Sequence, residues 1–165
     1  MMIIKRIIEI DYGHCLPNHF SFCNQIHGHR AKIIAYFSGE VSTIKGDSSE
    51  GMVLDFSICK KAMIETIHST LDHGFAVWKE DKAIFKYIEI STLDFIKIRN
   101  KKVLITDEPP TAEYLAKWAF GVLVSYLNNI VSDVFVERVE WWETPNNCAD
   151  YTAENFLHNK KNTSC

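Results

Sequence analysis

Polar and apolar positions change period several times along the chain, and each change marks an element. From Ile3 to His14 the even positions run Ile4, Arg6, Ile8, Ile10, Tyr12 and His14, with Ile3 and Ile7 on the other face. That spacing predicts a strand. Cys15 to Ile26 carries Pro17, Asn18, Ser21 and Asn24 and reads as a loop. His29 to Glu40 returns to strand character, Ala31, Ile33, Ala35 and Phe37 alternating against Lys32, Tyr36 and Ser38. Two long strands around an irregular segment predict a β-meander. Gly39 to Glu50 is a turn region, followed by the short apolar run Met52-Val53-Leu54. From Ser57 the period becomes helical. Cys59, Ala62, Met63, Thr66, Ile67, Thr70 and Leu71 share a face opposite Lys60, Lys61 and Glu65, and Asp55 or Ser57 supplies the N-cap.

Within 74–99, Ile84, Phe85, Ile88, Leu93 and Phe95 suggest one or two helices, and Lys101 to Thr106 a short strand. Pro109-Pro110 ends that strand. Thr111 is placed as an N-cap, with Glu113 near the positive helix end. Leu115, Ala119, Val122, Leu123, Tyr126 and Leu127 then define a second amphipathic helix. Asp133 to Glu143 reads as a strand and Cys148 to Phe156 as a last short one. The order predicts an α+β fold, an antiparallel β-sheet with helices on one face. It forms a single domain over 1–158, followed by a flexible C-terminal tail at 159–165. Such a sheet leaves a face and edges to be covered, and in a small domain another subunit is the natural cover.

Composition narrows the class. Of 165 residues 47% are apolar and 24% charged, an ordinary globular mix able to bury a core without disulfides. Five cysteines, Cys15, Cys23, Cys59, Cys148 and Cys165, follow no framework spacing, and Met1 to Ile10 lacks a secretory pattern. Free thiols in a reducing, cytoplasmic compartment are expected. No apolar stretch reaches the roughly 20 residues of a membrane helix, so no membrane role is expected. Lys and Arg number 18 against 21 Asp and Glu, a net charge of -3, and no basic stripe alternates with aromatics. This argues against a nucleic-acid partner.

Chemistry concentrates in Cys23-Asn24-Gln25-Ile26-His27-Gly28-His29. His27 and His29 are two apart at a strand entry and therefore share a face, with Gly28 permitting close backbone approach. Converging imidazoles suit Zn²⁺, and His14 at the end of the preceding strand supplies a third ligand. Three histidines and one open position describe a catalytic zinc. The plainer reading is two surface or core histidines. Cys23 is a fourth ligand, a buried thiol or a reactive base, a choice these residues leave open. Asp72-His73, in Leu71-Asp72-His73-Gly74, is either a helix cap or a carboxylate-imidazole relay. Glu143 and Glu113 alone would be a strand-end charge and a first-turn acid, but a buried carboxylate also suits a guanidine-like edge.

Taken in order, His14, Cys23-x3-His27-Gly28-His29, Gly51-Met52-Val53-Leu54-Asp55-Phe56, Leu71-Asp72-His73, Pro110-Thr111-Ala112-Glu113 and Glu143-Thr144 resemble the 6-pyruvoyltetrahydropterin synthase / 6-carboxytetrahydropterin synthase family along nearly the whole chain. The resemblance implies a tunnelling fold, with sheets of several subunits joined into a barrel and stacked as a homo-oligomeric dimer of trimers. It implies His14, His27 and His29 as zinc ligands, Cys23 as proton acceptor and Asp72-His73 as relay, with active sites at subunit boundaries where Cys23 works with Asp72 and His73 of a neighbour. Glu143 would be a catalytic and substrate-binding anchor of the pterin edge, with Glu113 and Thr111 supporting it. Arg30 and Lys32, or Arg99, Lys101 and Lys102, are candidates for the triphosphate, a solvated face being the plainer reading of both.

The three-residue gap between Cys23 and His27 resembles the bacterial carboxy-forming members of queuosine biosynthesis. These act as carbon-carbon lyases that convert dihydroneopterin triphosphate to 6-carboxytetrahydropterin, acetaldehyde and triphosphate. Gly74-Phe75-Ala76-Val77-Trp78 departs from the family's asparagine-leucine pattern, and the stretch from Trp78 to Asp107 is longer than in compact members. The alternatives are the pyruvoyl-forming reaction, without carbon-carbon cleavage, and a non-catalytic zinc-binding module closed by Cys23.

Overall fold

The computed structural model describes residues 1–84, 86 and 102–162, with side chains through 159. Strands β1 (Met2–His14) and β2 (His27–Gly39) pair antiparallel over their full length, Met2 opposite Gly39 and His14 opposite His27. The alternation of β1 has its expected outcome: Ile8, Ile10, Tyr12 and His14 are buried, while Ile3 and Ile7 are exposed on the other face. β5 (Val134–Thr144) pairs antiparallel with β2. It continues into β6 (Asn147–Thr152), also antiparallel.

The other side of β1 differs from the sequence expectation. Gly74–Trp78 forms a strand, β3, that runs parallel to β1 with Tyr12 opposite Gly74. β4 (Val103–Thr106) lies parallel to β3. The sheet is therefore mixed, in the order β4-β3-β1-β2-β5-β6. β3 is an unalternating run whose Ala76 and Val77 are buried. Periodicity cannot distinguish such a short run from a helix fragment. A parallel neighbour also needs a crossover of a dozen residues or more, which the chain from Lys79 to Lys102 supplies. The expected helices over Ile84 to Phe95 lie mostly outside the described residues; 82–84 and 86 are helical.

Helices cover one face. Asp55 caps α1 (Phe56–Met63), its side chain accepting from the Ser57 N–H at 2.7 Å. A π-helical turn, Ile64–His68, leads into the short α2 (Ser69–Leu71). Cys59, Ala62, Met63, Ile67 and Leu71 face the core throughout. Thr111 caps α3 (Ala112–Leu127), which buries Leu115, Ala116, Ala119, Phe120, Leu123 and Leu127 against the same sheet face. Ile33, Phe37 and Trp141 complete this core. α4 (Ala153–Asn162) packs Phe156 against Phe120 and extends past residue 158, where the sequence reading starts the tail. Among the described residues no helix is long and apolar enough to cross a membrane.

Candidate active site

The β1–β2 register builds the site. With His14 opposite His27 and Tyr12 opposite His29, alternation sends all three imidazoles to one face. Gly13 and Gly28 are the intervening pair. A side chain at Gly28 would meet the Tyr12 carbonyl oxygen at 2.9 Å, and one at Gly13 the Phe75 ring at 2.7 Å. Ring centroids of the three histidines lie 4.5 to 5.1 Å apart. One ring nitrogen from each lies within 4.8 Å of the other two.

The hydrogen bonds of the rings select their free nitrogens. His14 Nδ1 donates to the Pro110 carbonyl at 2.7 Å, and His27 Nδ1 to the Gln25 carbonyl at 2.8 Å. Each ring is thereby left with an unprotonated Nε2, the arrangement of metal-binding histidines. His14 Nε2 is buried without a hydrogen-bond partner. A stranded buried acceptor costs about 1–3 kcal/mol unless something occupies it. Burial holds both His14 and His29 below the usual imidazole pKa, which favours the neutral ligating form. Three converging imidazoles, one with a stranded buried nitrogen, fit Zn²⁺. Cys23 is half-buried in a single 3-10 turn, Phe22–Asn24, and its sulfur lies outside the cluster.

Glu143 sits where β5 loses register against β6, between Trp142 and Thr144. Such an irregularity re-aims a side chain. Its Oε1 accepts the Tyr12 hydroxyl at 2.9 Å and lies 3.6 Å from His14 Nε2 and 4.0 Å from His29 Nε2. Burial, then the Glu143 charge, pushes the Tyr12 pKa up, so the phenol stays protonated and donates. A cavity of about 290 Å³ opens beside it, lined by Glu143, Glu113, Thr111, Leu16 and Cys148 among others. The three residues expected to bind substrate thus share one pocket, although Thr111 also caps α3.

Asp72 and His73 form a separate cluster with Asp11. Asp72 Oδ1 accepts the Asp11 N–H at 3.1 Å, and its Oδ2 lies 3.4 Å from His68 Nε2 and 3.8 Å from His73 Nε2. His73 adopts φ +54° as the helix ends, donates its N–H to the Asp11 carbonyl and exposes its ring. Asp72 and His73 thus end the helix and stand near each other, without a direct hydrogen bond between carboxylate and ring. Of the cationic candidates, Arg30 is already held by Asp11 at 2.8 and 3.0 Å, and the guanidinium holds the Asp11 carboxyl below its usual range. Lys32 lies over the Trp142 ring, and Lys102 donates to the His68 carbonyl. Arg99 and Lys101 lie outside the described residues.

Sequence reasoning missed Tyr12, Trp141, Pro110 and His68. The apolar-face position of Tyr12 offered a signal for the first. A main-chain carbonyl such as that of Pro110 has none.

The family profile described as 6-pyruvoyl tetrahydropterin synthase matches residues 3–154. The chain belongs to that family. A 6-carboxy-5,6,7,8-tetrahydropterin synthase of Haemophilus influenzae is 28% identical over 153 residues, covering 92% of this chain and 99% of the relative. A protein of the same name from Rickettsia bellii is 30% identical over 146 residues, covering 88% and 96%. Among solved structures, the 6-pyruvoyl tetrahydropterin synthase of Caenorhabditis elegans superposes with a TM-score of 0.61 at 23% identity, covering 92% of this chain and 95% of that one. That likeness supports the tunnelling fold, whose family this chain shares.

Proposed function

We propose that the protein is a zinc-dependent 6-carboxy-5,6,7,8-tetrahydropterin synthase. It would convert 7,8-dihydroneopterin triphosphate and water to 6-carboxytetrahydropterin, acetaldehyde and triphosphate, as in queuosine biosynthesis. The observation that carries this reading is the stranded Nε2 of His14, gathered with His27 and His29 beside a cavity that Glu143 lines. The names of the Haemophilus and Rickettsia relatives support the carboxy-forming product.

His14, His27 and His29 would hold the metal. Zinc bound there supplies Lewis acidity that makes the substrate's side-chain hydroxyls easier to deprotonate. Glu143 accepts N–H groups from the amino-pyrimidine edge of the pterin, a charge-assisted contact that fixes the ring in the cavity. Glu113 and Thr111 border the same space. Cys23 removes the proton from the side-chain carbon next to the ring, and Asp72-His73 relays protons with the carboxylate setting the imidazole tautomer. Cys23 stands outside the histidine cluster and Asp72-His73 forms another, which is compatible with the family expectation that such groups complete the site across subunits of a dimer of trimers. Ile3, Ile7 and Phe135, exposed along the sheet, supply apolar surface for that assembly.

The test is to incubate zinc-loaded protein with 7,8-dihydroneopterin triphosphate and identify every product by mass. Triphosphate, acetaldehyde and 6-carboxytetrahydropterin are expected. Triphosphate without acetaldehyde would assign the pyruvoyl-forming reaction, and no triphosphate release would overturn the elimination chemistry.

A further inference from the structure

Tyr12 is a buried phenol whose hydroxyl is engaged on both sides. It accepts the indole N–H of buried Trp141 at 3.3 Å and donates to Glu143 Oε1 at 2.9 Å. The direction of this chain is fixed by chemistry, since an indole only donates and a carboxylate only accepts. The Tyr12 ring is itself held, edge-on to Trp141 with centroids 5.5 Å apart, and 5.3 Å from the His14 ring. Of the two carboxylate oxygens of Glu143, Oε1 is thus occupied and turned toward the histidines. Among the described residues Oε2 has no hydrogen-bond partner, and Glu143 lines the cavity.

We infer that Tyr12 is a positioning residue that locks the Glu143 carboxylate, reserving one oxygen for the ligand in the adjoining cavity. The inference rests on the reading of that cavity as a pterin pocket. It leaves Glu143 Oε2 unengaged by the described residues and Oε1 with the Tyr12 hydrogen bond, so pterin recognition depends on the rotamer that Tyr12 sets. Without the phenol hydroxyl the carboxylate turns about its side-chain bonds, and ordering it again weakens binding.

The test uses neopterin, a fluorescent pterin without the triphosphate, titrated into the zinc-loaded protein and its variants. Tyr12→Phe keeps the ring and should raise the neopterin Kd about tenfold, the scale of one hydrogen bond to a charged group. Its zinc content should be unchanged. With the full substrate, KM should rise by the same factor while kcat stays within about twofold. In a Glu143→Gln background, adding Tyr12→Phe should change the Kd by less than about twofold, because one residue acts through the other. Where loss of the Trp141 partner destabilises the single variant, Tyr12→Phe/Trp141→Phe removes the stranded donor and is measured the same way. Unchanged or tighter neopterin binding in Tyr12→Phe overturns the inference, as does a full additive loss in the Glu143→Gln background. Failure of the wild-type protein to bind neopterin at all overturns the pterin reading, and the inference with it.

Discussion

At the scale of single residues, the roles proposed for the histidines and the cysteine are separable by mutation. His27→Ala removes a proposed ligand whose partner carbonyl at Gln25 fixes its tautomer. Its zinc content, read by elemental analysis after dialysis, should fall from one ion per chain to well below half. Loss of a metal ligand or of its outer partners commonly costs affinity by tenfold or more. Cys23→Ala should keep its zinc, since that sulfur is outside the cluster, and lose turnover. A Cys23→Ala protein that loses zinc would place the thiol among the ligands instead. The convergence of the histidines was legible because His-x-His on a strand has only one geometric outcome. The two contacts of Tyr12 were not, because they join positions 129 and 131 residues apart in sequence.

At the scale of elements, the site depends on how closely β1 and β2 approach. Gly28→Ala would push a methyl group to 2.9 Å from the Tyr12 carbonyl oxygen, a backbone atom that cannot swing away. The variant should lose about 1–3 kcal/mol of stability in urea, as overpacked sites do, and bind zinc more weakly. Full stability and full zinc affinity together would show that strand spacing does not shape the cluster. β1, β2, β5 and α3 were readable from alternation and helical spacing, reinforced by the Thr111 cap. β3 was not. Its five residues alternate with nothing, and its parallel pairing with β1 is decided by the crossover path rather than by local pattern.

For the whole molecule, the face opposite the helices holds a charge network whose pH dependence can be signed. Burial alone would raise the pKa of Glu140. Hydrogen bonds from Trp142 and Tyr36, with the Arg138 charge, outweigh burial and hold it below its ordinary value of 4.5. A carboxylate with a depressed folded-state pKa stabilises the protein above its unfolded-state pKa, and that contribution disappears as pH falls through the folded value. At pH 7, Glu140→Gln should therefore be less stable in urea by about 1–2 kcal/mol. The gap should close progressively below pH 4.5. A gap that persists unchanged at low pH would mean that Glu140 contributes through packing rather than charge. The uncovered sheet face was anticipated from the sequence, whereas this network was not, because its members sit on β2 and β5 without a shared motif.

The central claim is a zinc ion held by His14, His27 and His29 with one position left for substrate. X-ray absorption at the zinc edge of the loaded protein tests it most directly. Three imidazole nitrogens at about 2.0–2.1 Å and one lighter oxygen scatterer are expected. A sulfur shell at about 2.3 Å would put Cys23 on the metal, close the coordination sphere and contradict the account.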